Sequence, residues 1–238
     1  MNKIILFDLD GTLVASGQQI TTNMHDILSK LSNNYTLGIV GGGTYEKISQ
    51  QLDTSIALFK YIFSECGSVV HMDNKLVEKN NMLDNMSFED RLYLNRIIKY
   101  ALYLISKLDI IFHGNQIDFR NGLIYISPPG MQATSFERNI FIELDKKSNI
   151  RDNLILLLKL QDYQNRYDIV LGGHVGIAIY KKGSDKSQVM KYFPDTIYFF
   201  GDKTDVTGND YPIFSHDRVV GHTVVDPTDT MNQLLNFL

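Results

Sequence analysis

Apolar residues fall along this chain in two different rhythms. KIILF (3–7) and YTLGIV (35–40) are short continuous apolar runs, read as strands buried on both faces of a parallel sheet. TTNMHDILSKL spaces Met24, Ile27, Leu28 and Leu31 as on one helix face, with Thr21 or Thr22 as its cap. TYEKISQQL predicts a helix opening near Thr44, and YIFSECGSVV a third strand followed by a turn. This alternation of strand and helix predicts a parallel α/β sheet.

The rhythm then changes. SFEDRLYLNRIIKYALYLISKL predicts one long amphipathic helix, with Ser87 and Asp90 at its start and Leu94, Ile97, Ile98, Ala101 and Ile105 on one face. IDFRNGLIYIS reads as two strands joined at Asn121-Gly122, a strong hairpin signal. Two helices follow, the first opening on a Thr134 to Glu137 capping box, and then a second hairpin, YDIVLGGHVGIAIY. After Gly183 the first rhythm returns: helix KSQVMKYF, strands TIYFFGD and VVGHTVV, and helix TDTMNQLLNFL. The expected architecture is an α/β core at 1–79 and 186–238, interrupted by an α+β cap at 80–185.

Composition narrows the function more than the fold. The 238 residues are 44% hydrophobic and carry a net charge of −4, so no general affinity for nucleic acid or an anionic membrane is expected. Cys66 is the single cysteine, which rules out an internal disulfide and fits a reducing, cytoplasmic setting. The apolar run from Ile4 stops at Asp8, too short for a signal peptide, and no stretch is long enough for a membrane span.

The chemistry begins where the first strand ends, in FDLDGTL (7–13). In a parallel sheet, ligands bind at the carboxyl ends of the strands. Asp8 and Asp10 stand at such an end, and Gly201-Asp202 at another. Converging carboxylates raise one another's pKa unless a cation offsets the charge, so Asp8, Asp10 and Asp202 are read as ligands for Mg²⁺ beside a phosphate. A lone Asp-x-Asp is more often a solvated turn. An EF-hand loop is excluded because Leu13 and Gln19 stand where glycine and glutamate would be required. VGGGTYEK places Glu46 where a dinucleotide fingerprint needs glycine, and no Walker sequence occurs.

FDLDGTL resembles the signature of the haloacid dehalogenase (HAD) phosphotransferases, and VGGGT, Lys186 and FFGDKT follow in that family's order. The resemblance implies a HAD-like doubly wound core in which Asp8 attacks phosphorus and Asp10 moves the proton. Lys186 and the hydroxyl of Thr44 would complete the catalytic set, with Gly42 and Gly43 lining the phosphate turn. Gly11 permits the tight turn after the strand; Thr12 either presents a hydroxyl or merely begins the next segment. Asp205, Asn209 and Asp210 are near enough to support the metal, though DVTGND also suits an ordinary turn.

Across nearly the whole chain, VGG, YEK, FRNG, ELDKK, NIR, IYFFGDKT and GND are similar in order and spacing to eukaryotic-type phosphomannomutases. That resemblance implies interconversion of mannose 6-phosphate and mannose 1-phosphate through a hexose 1,6-bisphosphate activator, and a homodimer paired through the caps. It assigns Arg120 and Arg138 to a distal phosphate, which guanidinium forks bind bidentately. Several family positions are altered: Gly17 and Met131 replace arginines, and Gly176 and Ala178 replace a serine and an aspartate. Gly43 replaces a serine, and near Phe214 His216 and Val219 replace members of a second cation site. Losing charged hydrogen bonds of roughly 1.5–3 kcal/mol each weakens distal recognition. Two alternatives therefore stand beside the mutase: a sugar-phosphate phosphatase, and a non-catalytic sugar-phosphate-binding protein.

Overall fold

The computed structural model describes residues 3–84 and 86–238. The chain divides into two compact units, one running to Asn80 and resuming at Gly183–Leu238, the other Asn81–Lys182. In the first, β1 (Lys3–Phe7), α1 (Thr22–Leu31), β2 (Tyr35–Val40), α2 (Tyr45–Leu52) and β3 (Phe59–Ser64) follow in order. β4 (Val69–Met72) and β5 (Lys75–Lys79) extend the sheet as an antiparallel hairpin.

The second unit holds α3 (Phe88–Ile105), β6 (Ile117–Phe119), β7 (Ile124–Ile126), α4 (Ser135–Ser148), α5 (Ile150–Gln161), β8 (Tyr167–Gly172) and β9 (Gly176–Lys181). Its sheet, in the order β6-β7-β9-β8, is antiparallel throughout and buries Ile124, Ile126, Ile169, Ile177 and Ile179 with apolar residues of α3 and α5. The chain then re-enters the first unit with β10 (Ile197–Gly201), α6 (Tyr211–Phe214), β11 (Val219–Thr223) and α7 (Pro227–Leu234). An α/β sheet interrupted by an α+β unit is thus the observed class.

The order β11-β10-β1-β2-β3-β4-β5 places β1 in the parallel part of the sheet, flanked by β10 and β2. Its residues alternate between two cores. Ile5 and Phe7 pack with α1, α2 and α7, whereas Leu6 packs with Val189, Met190 and Phe193. Both faces are dry, which accounts for the unbroken apolar run.

Caps set the helix starts where the sequence placed them. Thr21, Thr44 and Ser87 each accept the amide three residues on, and Thr134 and Glu137 form the reciprocal box. Two differences appear. Lys186–Tyr192, expected as a helix, is wound as a seven-residue 3₁₀ segment, long for that form, and is capped by Asp185 on the Ser187 amide. The hairpin of β4 and β5 was not expected. Its turn residues Asp73 and Asn74 both have positive φ, 48° and 59°, the conformation of a two-residue hairpin turn. No helix among the described residues is long and apolar enough to cross a membrane.

Candidate active site

The chain leaves β1 at Asp8, whose amide still pairs with the Phe200 carbonyl at 2.9 Å. It then turns at once: the Leu9 carbonyl accepts the amides of Thr12, Leu13 and Val14. Gly11 sits at the sharp point with φ +92°, its amide donating to the Val14 carbonyl at 2.8 Å. Asp8 is thereby fixed at the end of a buried strand, 6% exposed.

Lys186 reaches it from the other end of the sequence. The ammonium is 1% exposed and donates at 2.6 Å both to Asp8 Oδ1 and to Asp210 Oδ1. Asp210, wholly buried, also accepts the Lys203 amide at 3.1 Å, while its own amide donates to the Lys203 carbonyl. It therefore closes the loop after β10 and holds Lys186 from behind. Sequence reasoning gave Asp210 only a supporting place; GND reads as a turn until the fold sets it against Lys186.

Burial governs the charges. It pushes the Asp8 carboxyl up to about 7, despite the opposing Lys186 charge, and Asp210 and Asp202 add to the rise. Asp202 is raised for the same leading reason, against the pull of Lys203. Burial alone would depress Lys186, but the carboxylates of Asp210 and Asp8 outweigh it and hold the ammonium charged.

Asp10 corrects an expectation. Its carboxylate does not join those of Asp8 and Asp202. Lys47 Nζ donates to Oδ2 at 2.5 Å, and Gln51 Nε2 and the Gly17 amide donate to Oδ1 at 2.8 and 3.0 Å. Alternation along a strand no longer applies after Phe7, because the chain has already entered its turn. Burial would raise this carboxyl, but Lys47 and the other donors hold it down at about 2. The third carboxylate of the cluster is that of Asp210.

Thr44 stands at the start of α2. Its hydroxyl accepts the Lys47 amide at 3.3 Å as the cap of α2 and also engages Glu46. The turn containing Gly42 and Gly43 is held through its neighbours: the Glu65 amide donates to Gly43 at 2.9 Å and the Cys66 amide to Gly41 at 2.8 Å. Cys66 is no competing nucleophile, since burial pushes its thiol up to about 12. Thr12 is fully buried with an unpartnered hydroxyl, while its carbonyl accepts from Thr230.

The donor set fits a hard divalent cation. Ligand oxygens of Asp8, Asp202 and Asp210 lie within 4.8 Å of one another. One buried ammonium, with Lys203 more distant at 3.6 Å from Asp202, leaves these three carboxylates in excess. Buried Asp202 Oδ1 has no hydrogen-bond partner, an open ligand position of the kind an oxygen-preferring ion fills. Among the described residues no comparable cluster forms around Phe214 and His216; His216 Nδ1 accepts the Arg218 amide at 3.2 Å.

Residues 24–238 match the family model for eukaryotic phosphomannomutase. A wheat (Triticum aestivum) phosphomannomutase is 37% identical over 234 residues, covering 97% of this chain and 93% of the relative. The chain belongs to the eukaryotic phosphomannomutase family. Its fold is that of HAD proteins: a haloacid dehalogenase-like hydrolase from Bacteroides thetaiotaomicron superposes with a TM-score of 0.56 at 12% identity, each chain fully covered. An IMP-bound IMP-nucleotidase from Plasmodium falciparum superposes with a TM-score of 0.70 at 16% identity, covering 98% of this chain and 67% of the other.

Within this phosphomannomutase-family chain, the two arginines assigned to a distal phosphate lie in the second unit and have local partners. Arg120 Nε donates to Asp118 at 2.7 Å, its guanidinium 4.5 Å from the Tyr125 ring centre. Arg138 donates to the carbonyls of Ala133 and Met131 at 2.8 and 3.0 Å. Tyr125 fills the space beside the altered positions. A Cβ on Gly176 would stand 2.2 Å from its ring, Ala178 is its partner on β9, and its hydroxyl donates to Gly172.

Proposed function

We propose that this chain is a Mg²⁺-dependent phosphotransferase of the phosphomannomutase type, interconverting mannose 6-phosphate and mannose 1-phosphate through phospho-Asp8. The observation that carries the reading is the buried Asp8–Lys186–Asp210 chain beside Asp202, in a member of this family. Asp8 and Asp202 would hold the cation, with Asp210 alongside; when bound, it would neutralise phosphoryl charge and align attack.

The chain's own residues divide the remaining work. Lys186 offers a fixed positive charge beside Asp8, favourable to charge that develops on phosphoryl oxygens. When Asp8 Oδ attacks phosphorus, the ester bond breaks and its electron pair leaves with the sugar oxygen, which takes back from Asp10 the proton that Asp10 accepted in the preceding transfer. In the reverse half, the incoming hydroxyl gives its proton to Asp10, bonds to phosphorus and frees Asp8. The ionised state that Lys47 imposes on Asp10 suits this second half, in which a base is needed. Arg120 and Arg138 are proposed to grip the second phosphate of a hexose 1,6-bisphosphate after exchanging their present partners.

Asp8→Asn is expected to abolish turnover of mannose 1-phosphate supplied with a hexose 1,6-bisphosphate. Rapid acid quench and mass spectrometry of the wild type should find the phosphoryl adduct on Asp8; turnover without it would sink the mechanism. The cation adds a pH prediction. Asp8 is raised to about 7, so below that pH the metal must displace a proton. Mg²⁺ affinity should then fall by about tenfold per pH unit below 7 and level off above it, measured by calorimetry at pH 6 and 8.

Tyr125 packed on Gly176 favours one second reading, a sugar-phosphate phosphatase. Measured separately in the same assay, free phosphate without isomerised sugar would select it. We also infer a homodimer paired through the second unit, supported by exposed Phe88, Phe136, Ile140 and Leu160 there. A cytoplasmic setting is inferred from its single, buried cysteine.

A further inference from the structure

Lys47 and Gln51 stand four residues apart on α2 and so present one face. Both spend that face on a single carboxylate, that of Asp10. Lys47 Nζ meets Oδ2 at 2.5 Å, and Gln51 Nε2 meets Oδ1 at 2.8 Å. Gln51 is buried and reaches the Gln18 carbonyl with the same nitrogen at 3.4 Å, while its own Oε1 has no partner. Lys47 is nearly half exposed, and a lysine so placed gains more hydration by pointing outward than inward. It turns inward, towards Asp10. The Gly17 amide supplies the third donor from the loop that follows the turn. Lys47, Gln51 and the Gly17 amide all donate to the carboxylate, and the three donors fix both of its oxygens.

We propose that Lys47 and Gln51 are positioning residues for the phosphoryl-transfer reaction: they hold the Asp10 carboxylate, from α2, in the orientation from which it exchanges its proton. The proposal rests on the reading of Asp10 as the proton-carrying group. Neither side chain need touch substrate, so their removal is expected to act on kcat and leave KM almost unchanged. Misplacing a reacting group by about 1 Å costs on the order of 100-fold, and general acid–base catalysis contributes about 10²–10⁴-fold in all. Lys47→Met is therefore expected to lower kcat about 10- to 100-fold. Lys47→Arg, which keeps the charge and a donor, should recover part of the loss.

A double-mutant cycle separates this role from a structural one. Lys47→Met, Asp10→Asn and the double variant are assayed on mannose 1-phosphate with the bisphosphate, and circular dichroism confirms that each is folded. If Lys47 acts through Asp10, adding Lys47→Met to Asp10→Asn leaves the residual rate unchanged. An equal further loss in both backgrounds would overturn the proposal, as would a wild-type kcat or an effect confined to KM. Failure of the underlying reading looks different: Asp10→Asn itself would then turn over as fast as the wild type. Gln51→Leu repeats the cycle from the second donor and should show the same dependence on Asp10.

Discussion

Gly11→Ala is expected to cost at least about 100-fold in kcat while the protein stays folded. Two effects combine at this position. Its φ of +92° lies where side chains are strained, and a Cβ there would stand 2.5 Å from Asp202 Oδ2. The carboxylate would have to swing away, taking with it the unpartnered oxygen best placed for a cation. Mg²⁺ binding should weaken in step with turnover. Gly183→Ala provides the control, since it shares a positive φ of +77° but has open space around the new methyl. Loss in both variants would assign the effect to backbone strain; loss in Gly11→Ala alone, to displacement of Asp202. A Gly11→Ala enzyme with wild-type turnover and metal affinity would contradict the site as described.

Lys186→Met should be the most damaging single change to stability. The ammonium is buried between Asp8 and Asp210 at 2.6 Å from each, and removing it leaves two carboxylates facing one another in a dry interior. Breaking a buried pair from one side costs about 3–5 kcal/mol. For a chain of this size that lowers the melting temperature by on the order of 10 °C. Mg²⁺ should raise the variant's melting temperature by more than the wild type's, because it has more uncompensated charge to offset. Calorimetry with and without the ion checks both statements. An unchanged transition would show that Lys186 is not the counter-charge of this cluster.

The sequence disclosed those parts of the molecule that depend on neighbours in the chain. An unbroken apolar run announced β1, because both of its faces are covered, and Thr44, Ser87 and Thr134 announced helix starts through their own amide bonds. Asp8 at the strand end, with Lys186 and Asp202 in order, was legible as a set. What stayed hidden depends on distant partners. Asp10 takes its orientation from Lys47 and Gln51, 37 and 41 residues on, and no local rule reveals that α2 lies beside the first turn. Asp210 passed as a turn residue because its partner Lys186 arrives only with the fold. The β4–β5 hairpin carries only a weak local signal, Asp73-Asn74 flanked by β-prone residues.

β1 owes one of its two edges to β10, and Asp8 its ammonium to a side chain 178 residues later. During synthesis Asp8 therefore leaves the ribosome before its ammonium and waits, with a bare strand edge, while all of the second unit is made. Such long-range closure slows folding and leaves an aggregation-prone intermediate. A nascent chain arrested before β10 can be neither active nor fully protected, and its dependence on chaperones should end abruptly once that strand emerges.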